Sequence, residues 1–176
     1  METKEKRLKR LEGSSNEALL TLLNSHGWRF VDKELKPAAK KKFHNLLILG
    51  IHSVAETWSE IIFGDSSSNG FKLYLEYFVD GTNPDQKFSK IAGQINTWRN
   101  VIAHQWLSSQ AYSFGIDIEM QEGWKKEEGI IYFNPLVYFK CFCEGFDNTL
   151  NIIYKISTED QREQMKQRMI DKFKKW

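Results

Sequence analysis

Cysteine is almost missing from this chain, with Cys141 and Cys143 as its only two copies. Two residues apart on a helix, they point to different sides and cannot pair without distortion. No further thiol is present to complete a zinc set, so neither a metal nor a cofactor is expected. No GxxxxGK[ST] or GxGxxG string occurs, which removes support for a standard nucleotide cradle. There is no run of about eighteen apolar residues, so no membrane span is expected. The opening METKEKRLKR is charged, without the apolar stretch of a signal peptide behind it. The reducing cytoplasm is the expected compartment. Neither sign of charge dominates, with 25 Lys and Arg against 23 Asp and Glu. A nucleic-acid surface would therefore have to be a local basic patch.

What the chain has is apolar content of 41%, with aromatics at 14%, which argues against disorder. Its 176 residues are expected to form a single domain over 1–176. Most of the patterning has helical period. Residues 2–12 are a short charged helix, broken at Gly13-Ser14-Ser15. Ser15 or Asn16 caps a second helix to about Ser25, ended by His26-Gly27. A basic tract follows (Lys33, Lys36, Lys40, Lys41, Lys42), which is either a solvated helix start or a phosphate-binding patch. Ala38 to about Phe63 reads as one central helix with the stripe Phe43, Leu47, Ile51, Val54, Trp58 and Ile61. Its opposite face carries Asn45, His52, Glu56 and Glu60. His52 and Glu56 are either an exposed i,i+4 pair or a second contribution to a polar site. The stretch Gly64–Gly70 is a loop and the candidate mobile segment, and Phe71–Val79 a short aromatic helix.

A helix is then predicted from about Asp85 to Leu107. Phe88, Ile91, Ile95, Trp98 and Ile102 are spaced three, four, three and four, one face of a 3.6-residue period. Asn100 and His104 fall roughly 160° from the centre of that face and Arg99 about 60° from it. After it the period changes to two. Residues 112–120 and 130–133 read as strands of a β-hairpin over about 112–133, with Gly123–Gly129 as the loop, appended to the helices. Asn134-Pro135 opens a helix to about Tyr154. Ser157 or Thr158 caps a last helix with the stripe Met165, Met169, Phe173, Trp176. The fold class is thus all-α in the main: a bundle of five to six helices with one hairpin.

Arg99 and His104 suit one chemistry. An imidazole exchanges protons near neutrality, and a guanidinium matches phosphate oxygens two at a time. Asn100 is placed to orient the imidazole or a substrate hydroxyl. A proton carrier and a fixed cation are a minimal set for cutting RNA through its own 2′-hydroxyl.

The string RNVIAH resembles the mark of the HEPN superfamily, an Arg followed after four to six residues by His, often with Asn after the Arg. The motif covers six residues here, Arg99 to His104. That resemblance implies a small, usually dimeric helical bundle. It further implies a metal-independent endoribonuclease, of the kind found in toxin–antitoxin and phage-defence systems. Arg99, Asn100 and His104 would be its catalytic residues and Glu56 the acidic residue on the adjacent helix. RNA would be the substrate, with Lys40, Lys41 and Lys42 as RNA-binding residues, and the partners would be a second copy and an antitoxin protein. One toxin subgroup carries Tyr two residues after the His. Trp106 stands there in this chain, so that subgroup's regulation is not implied. The alternatives are a non-catalytic HEPN-like dimerisation or nucleotide/RNA-binding module, and a helical adaptor that binds only protein.

Overall fold

The computed structural model describes residues 3–104 and 114–175, His104 by its backbone only. The expected strand start at Tyr112, the helix end at Leu107, Trp106 and Trp176 lie outside the described residues. The fold is mainly helical, with a small three-stranded sheet. Its helices are α1 (Lys4–Glu12), α2 (Asn16–Phe30), α3 (Lys36–Lys40), α4 (His44–Phe63) and α5 (Ser68–Tyr74). Then come α6 (Ala92–His104), β1 (Phe114–Ile116), β2 (Trp124–Glu127), β3 (Ile130–Phe133), α7 (Pro135–Asp147), α8 (Thr149–Ile156) and α9 (Glu159–Lys175).

These segments outnumber the five or six expected, in part because two long apolar runs are broken. Residues 38–63 are split at Lys41–Phe43, where Lys42 takes a left-handed backbone (φ 57°) and Phe43 donates its N–H to Ala38. The run from Pro135 is split at Asn148, leaving α7 and α8. The reverse holds at Gly27. It does not end α2, which continues to Phe30 and through a π turn (Val31–Leu35) into α3. A Cβ on Gly27 would stand 2.4 Å from Cζ of Phe146, so the glycine serves close packing rather than termination.

α4 is the centre, packed against α5, α6, α7 and α9. Leu47, Ile51, Trp58 and Ile61 are buried as its stripe predicts, but Phe43 is 51% exposed and belongs to the surface. By length and composition α4 would suffice to cross a bilayer, yet half of its most apolar stretch is buried inside the bundle, as in a core helix. Gly64 ends it in the left-handed conformation (φ 70°), and Arg168 of α9 donates to the Ile61 and Ile62 carbonyls. One hydrophobic cluster extends from Leu11 to Ile170.

The segment 64–70 is tied down rather than loose. Asp65 accepts from the Ser67 N–H and from Asn69, and Ser59 donates to the Gly70 carbonyl. The helix after it begins at Ser68, capped by Ser67, and runs through a π turn (Leu75–Val79).

The sheet corrects the expected hairpin. Its order is β1-β3-β2, with β1 parallel and β2 antiparallel to β3. The expected loop Gly123–Gly129 contains strand β2, and the actual turn is Glu128-Gly129, both at positive φ. Nor is the sheet an appendage. Phe133 is fully buried against Phe88, Phe114 and Tyr138. The Gly123 N–H donates to the Gln86 side chain and the Trp124 indole to the Gln86 carbonyl. Asn134, the N-cap of α7, also donates to the Ile118 and Met120 carbonyls and so fixes the loop before β2.

Candidate functional site

The site is built where α6 lies along α4. α6 starts at Ala92, later than its apolar stripe suggests, because Asp80 intervenes. Its buried carboxylate accepts from the Phe88 and Ser89 N–H groups, at 2.6 and 3.0 Å, and starts a short 3-10 turn (Phe88–Ile91) there. Residues 85–87 therefore form turns, with Lys87 left-handed (φ 48°). From this start the stripe goes inward as read from the spacing. Phe88, Ile91 and Ile95 are buried, and Trp98 and Ile102 are partly buried against the core. Trp98 stacks on Phe114 of β1, with ring centres 5.2 Å apart, so the sheet supports the motif helix directly.

Arg99 leaves α6 on the flank of that stripe. Its Nη2 donates to Oε2 of Glu56 on α4 at 3.2 Å, and its Nη1 to Oδ1 of Asn100 at 2.8 Å. Arg99 and Glu56 are 29% and 31% exposed, so the pair sits at the wall of the bundle with one side open to water. The guanidinium has five N–H donors, and two are occupied here. Among the described residues no other group accepts from its fork. Asn100 thus orients the arginine through its Oδ1. His104 follows four residues after Asn100, about 6 Å further along the axis. Its side chain lies outside the described residues.

His52, one helical turn before Glu56, departs most from the sequence reading. It is 1% exposed, so it is neither a surface residue nor half of an exposed pair. Its ring packs on Phe71 of α5, with centroids 4.1 Å apart. Nε2 lies 3.2 Å from Oε1 of Glu56, but off the direction of a hydrogen bond, and no other described residue partners either ring nitrogen. Burial pushes the imidazole below its usual range. The Glu56 charge opposes that shift and the Arg99 charge adds to it. The carboxylate therefore faces two basic groups: a permanent cation toward solvent and a neutral imidazole toward the core.

The other expected residues lie elsewhere. Lys40, Lys41 and Lys42 are exposed where α3 ends and the turn to α4 begins, before the first residue of α4 and more than three helical turns from Glu56. Glu60 pairs with Lys172 of α9 and takes no part in the site. Cys141 and Cys143 are pushed by burial up to about 11 and about 12, far from thiolate reactivity. Among the described residues no three His, Cys, Asp or Glu side chains converge as a metal-binding group. No protein-family model, curated protein or solved structure matches this chain.

Proposed function

We propose that the protein is a metal-independent endoribonuclease of HEPN type, with Arg99, Asn100, His104 and Glu56 as its working residues. The observation that carries this reading is the placement of Arg99. It sits on α6 in the Arg-x4-His spacing, held by Glu56 from the neighbouring helix, with part of its fork open to solvent. Arg99 binds the scissile phosphate and stabilises the charge that builds up on it. His104 moves the proton to or from the reacting oxygens. Glu56 and Asn100 fix the guanidinium plane in advance, so no reorganisation is needed as the charge develops. The products carry a 2′,3′-cyclic phosphate and a 5′-hydroxyl. In this reading the chain works as a homodimer whose two motifs meet, in a toxin–antitoxin or phage-defence setting. Val101 is buried within its own chain, so the exposed Ala103 and Asn100 side of α6 would form that contact.

A second reading rests on the same hydrogen bonds. Two donors of Arg99 are already satisfied within the chain, as in a binding module whose arginine is structural. Cleavage separates the two. Labelled single-stranded RNA is incubated with wild type, His104→Ala and Arg99→Lys, with and without EDTA. Wild type should cut in both conditions and His104→Ala should lose about 10²–10⁴-fold. Arg99→Lys should also fail, because an ammonium keeps the charge and loses the fork. Equal cutting by all three proteins removes the catalytic reading, and no cutting by any of them favours the binding module.

A further inference from the structure

At the far end of α4 the turn Lys40–Phe43 makes an exposed surface of mixed character. Three consecutive lysines stand there, and none of them pairs with a carboxylate among the described residues. The left-handed Lys42 turns the chain so that Phe43 projects 51% exposed, and Leu46 one turn on is 58% exposed. Lys42, Phe43, His44, Asn45, Leu46 and Ile116 of β1 line an open cleft of about 430 Å³, with Lys40 and Lys41 just before it in the chain. That is within the size range of ligand pockets. Burial, and after it the Lys42 charge, push the half-buried His44 imidazole below its usual range.

We infer that this cleft is a subsite for single-stranded RNA, in which an unpaired base stacks on Phe43 while Lys40, Lys41 and Lys42 hold the flanking phosphates. An exposed aromatic beside unpaired cations is the arrangement that binds single strands, since every base has a stackable face. Asn45 and His44 supply polar edges that a splayed base can meet. A duplex keeps its bases stacked and has nothing to offer Phe43. A second copy of this chain is disfavoured, because a symmetric contact through Phe43 and Leu46 would bring two lysine triplets together. A membrane is disfavoured because Phe43 and Leu46 are the only large apolar side chains exposed there among the described residues, too small a face to insert. The choice of ligand rests on the RNA-directed reading above, but binding here does not depend on catalysis.

The test is fluorescence polarisation of a labelled oligouridylate, with wild type, Phe43→Ala, Phe43→Trp and Lys41→Gln/Lys42→Gln, each checked for helical circular dichroism. Phe43→Ala should weaken binding by about five- to a hundred-fold, while Phe43→Trp retains it. The double lysine variant should bind more weakly and flatten the slope of log affinity against log salt by about 1.4. A labelled RNA duplex should bind without dependence on Phe43. Absence of oligouridylate binding by wild type, or binding indifferent to Phe43→Ala, overturns the inference. Two results would assign the surface elsewhere and equally overturn it: loss of binding to phosphatidylserine vesicles alone, or a change of oligomeric state alone in light scattering. Phe43-dependent binding without cleavage by wild type would sink only the ribonuclease reading. Undiminished cleavage and binding in Phe43→Ala would sink only this one.

Discussion

Glu56→Gln keeps the shape of the side chain and removes one charge from between Arg99 and His52. Its stability cost follows from exposure. A salt bridge open to water is worth about 0.2–1 kcal/mol, while breaking a fully buried one costs about 3–5 kcal/mol. Arg99 and Glu56 are each about 30% exposed, so water replaces much of what the carboxylate supplied. The loss should be about 1 kcal/mol, read as a shift of the urea midpoint at unchanged slope. The effect on His52 is independent of any activity. Its imidazole is held down by burial and by Arg99, and the Glu56 charge works against both. Removing that charge must lower the His52 pKa further. Ring proton shifts followed by NMR across pH, with His52→Gln to assign the resonance, measure this directly. Cleavage, if the ribonuclease reading is right, falls because Arg99 is no longer held in plane. A His52 resonance that titrates at higher pH in Glu56→Gln would refute the geometry. A stability loss of 3 kcal/mol or more would refute the claim that the pair is open to water.

Two further perturbations test the fold and its charge balance. On Gly145 of α7 a Cβ would fall 1.9 Å from the Phe78 carbonyl oxygen and 2.7 Å from its carbon. Gly145→Ala should therefore destabilise by about 3 kcal/mol or more in chemical denaturation, against the usual gain of about 1 kcal/mol for alanine in a helix. A neutral or stabilising result would mean that the two elements are further apart. The second concerns pH. His52 and His44 both have depressed pKa values in the fold, in each case chiefly from burial. They stay neutral to lower pH in the folded chain than in the unfolded chain, which takes up protons below about pH 6.5. Stability from this source is full above that pH and declines as pH falls below it, by at most about 1.4 kcal/mol per pH unit for each histidine. His52→Leu should flatten the decline between pH 7.5 and 5.5, and an unchanged slope would show that His52 does not contribute.

Helical periodicity was legible wherever one face alone is buried. The spacing from Phe88 to Ile102 placed the inward face of α6, and with it Arg99 on the flank and Asn100 outside. Periodicity fails where tertiary contacts override local signals. Gly27 looks like a stop, and only the nearness of Phe146 shows why it lies inside α2. Gly123–Gly129 has the composition of a loop, yet β3 pairs with Trp124–Glu127 and the sheet lies against Phe88. Phe43 fits the α4 stripe by arithmetic. The break at Lys41–Phe43 takes it out of that helix, and a left-handed lysine leaves no mark in composition.

The candidate site divides along the same line. The acidic residue beside the motif helix was implied only by the resemblance of RNVIAH to the HEPN mark, since spacing alone left Glu56 either exposed with His52 or part of a polar site. What remained hidden was the depth of His52. Position on α4 put it with Asn45, Glu56 and Glu60 on a polar face, but such a face is outside only if nothing packs on it. α5 lays Phe71 over that turn, and the same row of residues passes from a fully buried imidazole at His52 to a half-open carboxylate at Glu56. A burial gradient of this kind arises from the angle between two helices, which no window of one helix contains. It also sets how the site responds to charge. The carboxylate nearest water holds the arginine. The imidazole behind it titrates only against the cost of burial, and the charges of Glu56 and Arg99 both act on it.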